Sequence, residues 1–205
     1  MEVGIIDMYK NNFGCMNVIV AFQSFGLNPT VYHIDDLIKN KVNMTRLIAQ
    51  SPIKHWVFTG SAQSIYEKDS PQIPMSIFNI FGKRFLLICY SMESVLKQLG
   101  YLVLKRYERK RELFKLHLQK TKVLLSGRER LFEYIADPAE YWRNHQYYTP
   151  VQNMDRQKIY EVASYRGELM IAFYKNSVMT QFHPERTFAG KRFLKNWLYE
   201  NSHYD

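Results

Sequence analysis

Short apolar runs alternate with amphipathic stretches along the first hundred residues. Val3 to Asp7 reads as a buried strand, the spacing from about Phe13 to Phe25 predicts a helix that Gly26 and Pro29 close, and Thr30 to His33 resumes as a strand. A second cycle predicts a strand over Ile53 to Thr59, a loop of small and polar residues through Pro74, and a short helix near Ser76 to Phe81. In the third, Arg84 to Ile88 is a strand and Met92 to Leu99 a helix that Gly100 ends.

From Tyr101 to Lys122 the period changes to two. Phe114, Leu116 and Leu118 face one way, Lys115, His117 and Gln119 the other, so antiparallel strands are expected there rather than a basic helix. Further strands are predicted at about Lys158 to Ala163, Glu168 to Tyr174 and Val178 to Phe182, then a helix over about Ala189 to Glu200. No internal repeat or low-complexity tract interrupts the pattern.

Alternating strands and helices require crossover connections, which join parallel neighbours and place helices on both faces. The expected fold is therefore α/β, one domain over residues 1–205, with a mostly parallel central sheet and a small antiparallel sheet. A chain of 205 residues, 46% hydrophobic, is long enough for one sizeable core. No run approaches the roughly 18 apolar residues of a membrane span, and MEVGIIDMYK lacks the layout of a signal peptide. A cytoplasmic setting is expected, with no membrane partner and with Cys15 and Cys89 as free thiols.

The net charge of +9 is concentrated: Leu104 to Arg130 holds ten Lys or Arg against Glu108, Glu112 and Glu129, a net of +7. Clustered cations bind phosphates, but only Tyr107 and Phe114 lie among them, which is no stacking platform. The balance is against a nucleic-acid site and for a solvated basic face or a docking face for an acidic partner.

In RFLLICYSMESVLKQLG a buried strand runs straight into a helix with Cys89 at the junction. Such a turn presents sulfur at the sheet's carboxyl edge, the helix N-terminus favours thiolate, and the backbone N–H of Tyr90 is placed to donate to an oxyanion. By itself, a cysteine after a strand is more often an ordinary buried residue. A thiol nucleophile also needs an oriented base, and His183-Pro184-Glu185 offers one: on extended backbone the imidazole and carboxylate would lie side by side. His33, His55, His117 and His203 have no such carboxylate pattern and read as surface or structural.

These segments resemble the class I glutamine amidotransferases. Ile88-Cys89-Tyr90-Ser91-Met92-Glu93 looks like the family's G-I-C-x-G-x-Q motif, Gln181-Phe182-His183-Pro184-Glu185 matches its Q-F-H-P-E segment throughout, and Phe58 to Tyr66 resembles its S-G-G-P-x-S-x-Y loop. Ile5-Ile6-Asp7 resembles its first strand, so the likeness covers nearly the whole chain. The resemblance implies a Cys89, His183, Glu185 triad, an oxyanion hole from the N–H groups of Tyr90 and Ser61, and L-glutamine as substrate, bound by Gly60 and Glu93. Arg143 to Tyr147 resembles a short substrate loop, which makes Asn144, His145 and Tyr147 candidate binding residues; a plain polar loop is the competing reading. No cofactor or metal is implied. Within the family, Thr59 to Pro71 and the Phe-His-Pro-Glu-Arg-Thr segment look most like the amidotransferase subunits of GMP synthases. The chain stops soon after Glu185, so the resemblance implies a separate synthetase subunit as partner, or none.

Four positions depart from the family's pattern. Leu87 and Ser91 stand where it has glycine and are expected to crowd the turn, Ser61 replaces the second loop glycine, and Glu93 replaces a substrate-binding glutamine. A carboxylate beside a thiolate disfavours both charges. The alternative to an active glutaminase is thus an inactive scaffold used as a binding or regulatory subunit.

Overall fold

The computed structural model describes residues 1–10, 14–153 and 158–200. Four strands, β1 (Val3–Asp7), β2 (Thr30–His33), β3 (His55–Phe58) and β4 (Arg84–Ile88), alternate with helices α1 (Met16–Gln23), α2 (Ile34–Lys39) and α3 (Met44–Gln50). Helix α4 (Tyr90–Gln98) follows β4 with only Cys89 between them. Next come β5 (Leu104–Leu116), α5 (Lys120–Leu125), β6 (Ala139–Tyr148), β7 (Tyr160–Tyr165), β8 (Glu168–Tyr174), β9 (Ser177–Thr180) and α6 (Phe188–Tyr199).

The main sheet has the order β2-β1-β3-β4-β9-β8-β7; β5 and β6 pair separately. From β2 through β9 the neighbours are parallel, and β8 and β7 extend the sheet antiparallel. β1, β3 and β9 are buried along their whole length, as strands covered on both faces must be. Alternate side chains of β4 feed two cores. Leu86 and Ile88 pack with Phe22 of α1 and with Phe193 and Trp197 of α6, while Phe85 and Leu87 pack with Leu37, Ile48 and Val95 from α2, α3 and α4. The expected α/β architecture, with helices on both faces and a small antiparallel sheet, is the one observed.

Several local expectations are corrected. The strand pattern predicted through Lys122 stops at Leu116, and α5 begins at Lys120. The predicted start of the first helix at Phe13 lies outside the described residues, as does His203. The segment containing Asn144, His145 and Tyr147 is no loop; it lies within β6. Its alternation is real, but two inward positions hold Arg143 and His145, both buried, so apolar periodicity could not reveal it. Arg143 is tolerated inside because its guanidinium pairs with Glu112, lies 3.6 Å from Glu168 and stacks over Tyr165 at 5.0 Å. Helices α2 and α3 were not anticipated. Asn43 caps α3 by accepting from the Arg46 N–H at 3.0 Å, a signal of N-cap type.

The basic stretch is partly neutralised: Arg106 pairs with Glu168 and Lys122 with Glu161. Among the described residues, no helix is long and apolar enough to cross a membrane.

Candidate active site

The ends of β1, β3, β4 and β9 lie together along one edge of the sheet, where open parallel sheets put their ligand crevices. Cys89 follows β4 directly with φ 52° and ψ −106°, a positive φ that a non-glycine residue adopts only when the surroundings hold it there. What holds it is on both sides. Its N–H donates to the Thr180 carbonyl of β9 at 2.7 Å, and its carbonyl accepts the Glu93 N–H at 3.0 Å, starting α4.

The expected crowding by Leu87 and Ser91 does not prevent this turn. Leu87 points into the core shared with Phe58 and Met179, and the Ser91 hydroxyl donates to the Thr59 carbonyl at 2.6 Å, tying α4 to the end of β3. Ser91 therefore supplies a hydrogen bond that glycine lacks.

His183 lies three residues beyond the end of β9 and is fixed by an antiparallel bridge to β6, its N–H donating to the Trp142 carbonyl at 2.8 Å. Nδ1 lies 2.9 Å from Glu185 Oε1, and Nε2 is buried without a hydrogen-bond partner among the described residues. The pair is made differently from the sequence expectation. The backbone does not stay extended through Pro184; it enters a 3₁₀ turn over Pro184–Arg186. Proline, lacking an N–H, suits that first position, and the turn returns the carboxylate to the ring.

Gly60, just past β3, brings the groups together. A Cβ on Gly60 would lie 3.3 Å from His183 Cε1, 3.3 Å from the Tyr9 hydroxyl oxygen and 3.6 Å from Cys89 Cβ. The missing methyl leaves a small gap bounded by the Cys89 Cβ, the imidazole and the phenol. Cys89 Sγ is not bonded to His183: it lies 3.9 Å from the Asn144 carbonyl and 3.9 Å from Gln181 Nε2.

Burial is the main reason the Cys89 thiol sits well above its ordinary pKa; Glu93 adds to the rise, the Tyr90 backbone N–H lowers it, Glu185 raises it, and Arg109 lowers it. Glu93 is buried too, and burial lifts its carboxyl to about 8 despite a 2.8 Å hydrogen bond donated by Gln181 Nε2. At neutral pH the thiol and the carboxyl both hold their protons.

The remaining candidates divide. Tyr90 presents its N–H to the sulfur, while its hydroxyl donates to the Pro71 carbonyl at 2.8 Å. Ser61 follows Gly60, with Oγ accepting from the Gln63 N–H at 3.2 Å. Asn144 meets the thiol with its backbone carbonyl, whereas its side chain faces Arg111 on β5. His145 Nδ1 donates to the Tyr147 carbonyl at 2.6 Å; Nε2 is buried with no hydrogen-bond partner among the described residues, and burial holds the ring neutral with its pKa down to about 4. The Tyr147 hydroxyl donates to Ser64 Oγ at 2.6 Å and so closes the loop after β3 against β6.

Of the other histidines, His55 is buried edge-on to Trp197 and His117 is exposed beside Asp137. His33 does have a carboxylate neighbour, Asp7 at 3.3 Å. Parallel pairing of β1 with β2 sets the two opposite each other, a relation that sequence spacing hides. Sequence reasoning also missed Tyr9, whose signal was its position just past the carboxyl end of a parallel strand.

Fold and site together define a class I amidotransferase-type domain, and comparison with known proteins agrees. The family model for glutamine amidotransferase class-I matches residues 5–201, and the chain belongs to that family. It is a glutamine amidotransferase domain related to the glutamine-hydrolyzing GMP synthases. One such enzyme, from Finegoldia magna, is 27% identical over 150 residues, covering 70% of this chain and 27% of the relative. That of Clostridium tetani is 28% identical over 170 residues, covering 80% and 31%. The chain thus spans about a third or less of the curated relatives it matches.

Among solved structures, a candidate GMP synthase subunit from Thermoplasma acidophilum superposes with TM-score 0.69 at 16% identity, covering 97% of this chain and 92% of that one. A glutamine amidotransferase from Thermotoga maritima gives 0.58 at 14% identity, covering 96% and 80%. At these identities the likeness is one of fold.

Proposed function

We propose that residues 1–205 act as one domain that hydrolyses the side-chain amide of L-glutamine at Cys89 and supplies ammonia to a separate synthetase of the GMP synthase kind, in the cytoplasm. The observation that carries this reading is that Cys89 and His183 both border the gap beside Gly60, with Glu185 held against the imidazole's Nδ1.

In this mechanism the Cys89 side chain turns from the Asn144 carbonyl toward His183 Nε2, which takes the thiol proton as sulfur attacks the amide carbon. Attack forms the C–S bond and moves the carbonyl electron pair onto oxygen, where the Tyr90 N–H, and Ser61 in the family's pattern, donate. Collapse restores the carbonyl, breaks the C–N bond, and ammonia leaves with the proton held by His183. Water, activated by the same imidazole, then hydrolyses the γ-glutamyl thioester. Glu185 keeps Nδ1 protonated and the ring oriented throughout. Glu93, His145 and Tyr147 are the proposed side-chain contacts to the substrate, and Asn144 acts through its backbone.

A second reading, an inactive scaffold with a binding or regulatory role, is favoured by one observation: the Cys89 thiol is buried and stands beside Glu93, and burial foremost, then Glu93, raise its pKa. Ammonia release from glutamine by the purified chain decides between them. The expected result is turnover that Cys89→Ala reduces to background, with Cys89 alkylated by a glutamine-like chloroketone and protected by glutamine. No turnover and no label on Cys89 would establish the scaffold reading.

Gly60→Ala tests the gap. The new methyl meets His183 and Tyr9 at 3.3 Å, a distance the neighbours absorb by small shifts. The melting temperature is expected to move little, while kcat/KM for glutamine falls roughly ten- to hundredfold, since small misplacements of reacting groups cost that much. Unchanged kinetics would mean that the reacting amide does not enter there.

A further inference from the structure

Tyr9 is placed with more care than a loop residue requires. It follows β1 by two positions, and its N–H donates to Asp7 Oδ1 at 3.2 Å. That carboxylate is itself fixed, accepting the Thr59 hydroxyl at 3.1 Å, while Thr59 Oγ1 accepts the Met8 N–H at 2.9 Å. The phenol ring lies on Gly14: a Cβ there would be 1.7 Å from Tyr9 Cδ2, so only glycine admits the ring in this pose. Backbone anchor and ring seat together deliver the hydroxyl to the gap bounded by Cys89 and His183.

A half-buried hydroxyl at that place has few chemical uses. It is not available as a base, because burial foremost, with Cys89 and Glu185 adding to the rise, holds its pKa far above the ordinary phenol value. It therefore stays protonated, and its ready role is to donate. Ser61, which stands where the family's pattern has the second loop glycine, keeps its own backbone N–H, and an oxyanion with three lone pairs accepts from a further donor as well.

We infer that the Tyr9 hydroxyl donates a hydrogen bond to the tetrahedral oxyanion from the Gly60 side of the gap, complementing the Tyr90 backbone N–H. This rests on the reading of Cys89 as the nucleophile that accepts an acyl group. When sulfur adds to the carbonyl carbon, the C–S bond forms and the displaced π pair becomes a full charge on oxygen. Tyr9 holds that charge without transferring its proton. On collapse the pair returns, the leaving group departs with the proton supplied by His183, and Tyr9 ends as it began.

The test separates oxyanion chemistry from thiol chemistry. Tyr9→Phe keeps the ring on Gly14 and removes only the hydroxyl. The full chain is acylated with p-nitrophenyl acetate, following the burst of p-nitrophenolate, and alkylated in parallel with iodoacetamide, whose displacement reaction forms no oxyanion. The Cys89→Ala chain supplies the background for both. Tyr9→Phe is expected to slow the Cys89-dependent burst about a hundredfold, the usual effect of losing one oxyanion donor, and to leave alkylation within about twofold. Equal bursts in the two proteins overturn the inference, and so does an equal loss of both rates, which would assign Tyr9 to the thiol or the fold. A wild-type chain that iodoacetamide labels at Cys89 but that shows no burst overturns the nucleophile reading itself. A normal burst without glutamine turnover strikes only the choice of substrate.

Discussion

Replacing Gly190 by alanine will destabilise the protein by roughly 3 kcal/mol, the upper end of the usual cost of overpacking, and lower its melting temperature by about 6–12 °C. Helix propensity alone argues the opposite, since alanine in a helix is favoured over glycine by about 1 kcal/mol. What reverses the sign is the close approach of α6 to the turn that carries Glu185. A Cβ at residue 190 would stand 2.1 Å from the Pro184 carbonyl oxygen and 2.6 Å from Pro184 Cα. These are backbone atoms, with no side chain to swing aside. The Gly190 N–H also donates to its cap, Thr187 Oγ1, at 3.1 Å, which pins the helix start where it is. Relief must come from moving the Pro184–Arg186 turn, and Glu185 moves with it away from His183. Thermal melts and chloroketone labelling of Cys89 should both register the change. A melting temperature within about 2 °C of the parent would show that the two segments separate freely.

Glu93→Gln is expected to change the pH dependence of both reactivity and stability. In the folded chain the carboxyl titrates near 8, far above the ordinary value of 4.5. A raised acid pKa contributes stability that is complete below 4.5 and is lost as pH climbs toward 8, because over that window only the folded state keeps the proton. The parent should therefore melt progressively lower from about pH 5 to about pH 9, by about 2–4 °C for each kcal/mol lost, whereas the variant should show a flatter profile. Gln retains an acceptor for the Gln181 amide, so the 2.8 Å hydrogen bond need not be forfeited. Above about pH 8 the parent's ionised Glu93 opposes thiolate formation at Cys89. Removing a unit charge a few ångströms away is worth kilocalories inside a protein, so alkylation of Cys89 at about pH 9 should accelerate roughly tenfold or more. A parent and variant with superimposable melts and alkylation rates across the range would refute the assigned titration.

How much of this could be read from the chain depends on where each signal was local. β4, the turn at Cys89 and α4 are consecutive, and an unbroken apolar run entering an amphipathic helix fixes their relation in sequence. β8 was legible to the residue, whereas its antiparallel pairing with β7 and β9 was not, because alternation of strands and helices speaks only for parallel neighbours. β6 was not, because Arg143 and His145 occupy inward positions whose burial depends on Glu112, Glu168 and the Tyr147 carbonyl. The His183 to Glu185 contact was foreseen with the wrong backbone: its spacing suits an extended segment, and a proline-led turn satisfies it as well. Tyr9 escaped notice because its relation to Cys89 exists only once β1 and β3 lie side by side. The Asp7 and His33 pair escaped for the same reason.

The bond from the Cys89 N–H to the Thr180 carbonyl joins residues ninety-one positions apart, and it spans the middle of the sheet rather than its rim. During synthesis, β4 emerges long before the strand that must slot between it and β8. Until that late insertion, the cysteine has neither its bent backbone nor its imidazole. Such distant pairings form slowly. Maturation of the thiol's chemistry is thereby tied to completion of the fold, so a chain cut short before β9 carries an ordinary sulfhydryl group.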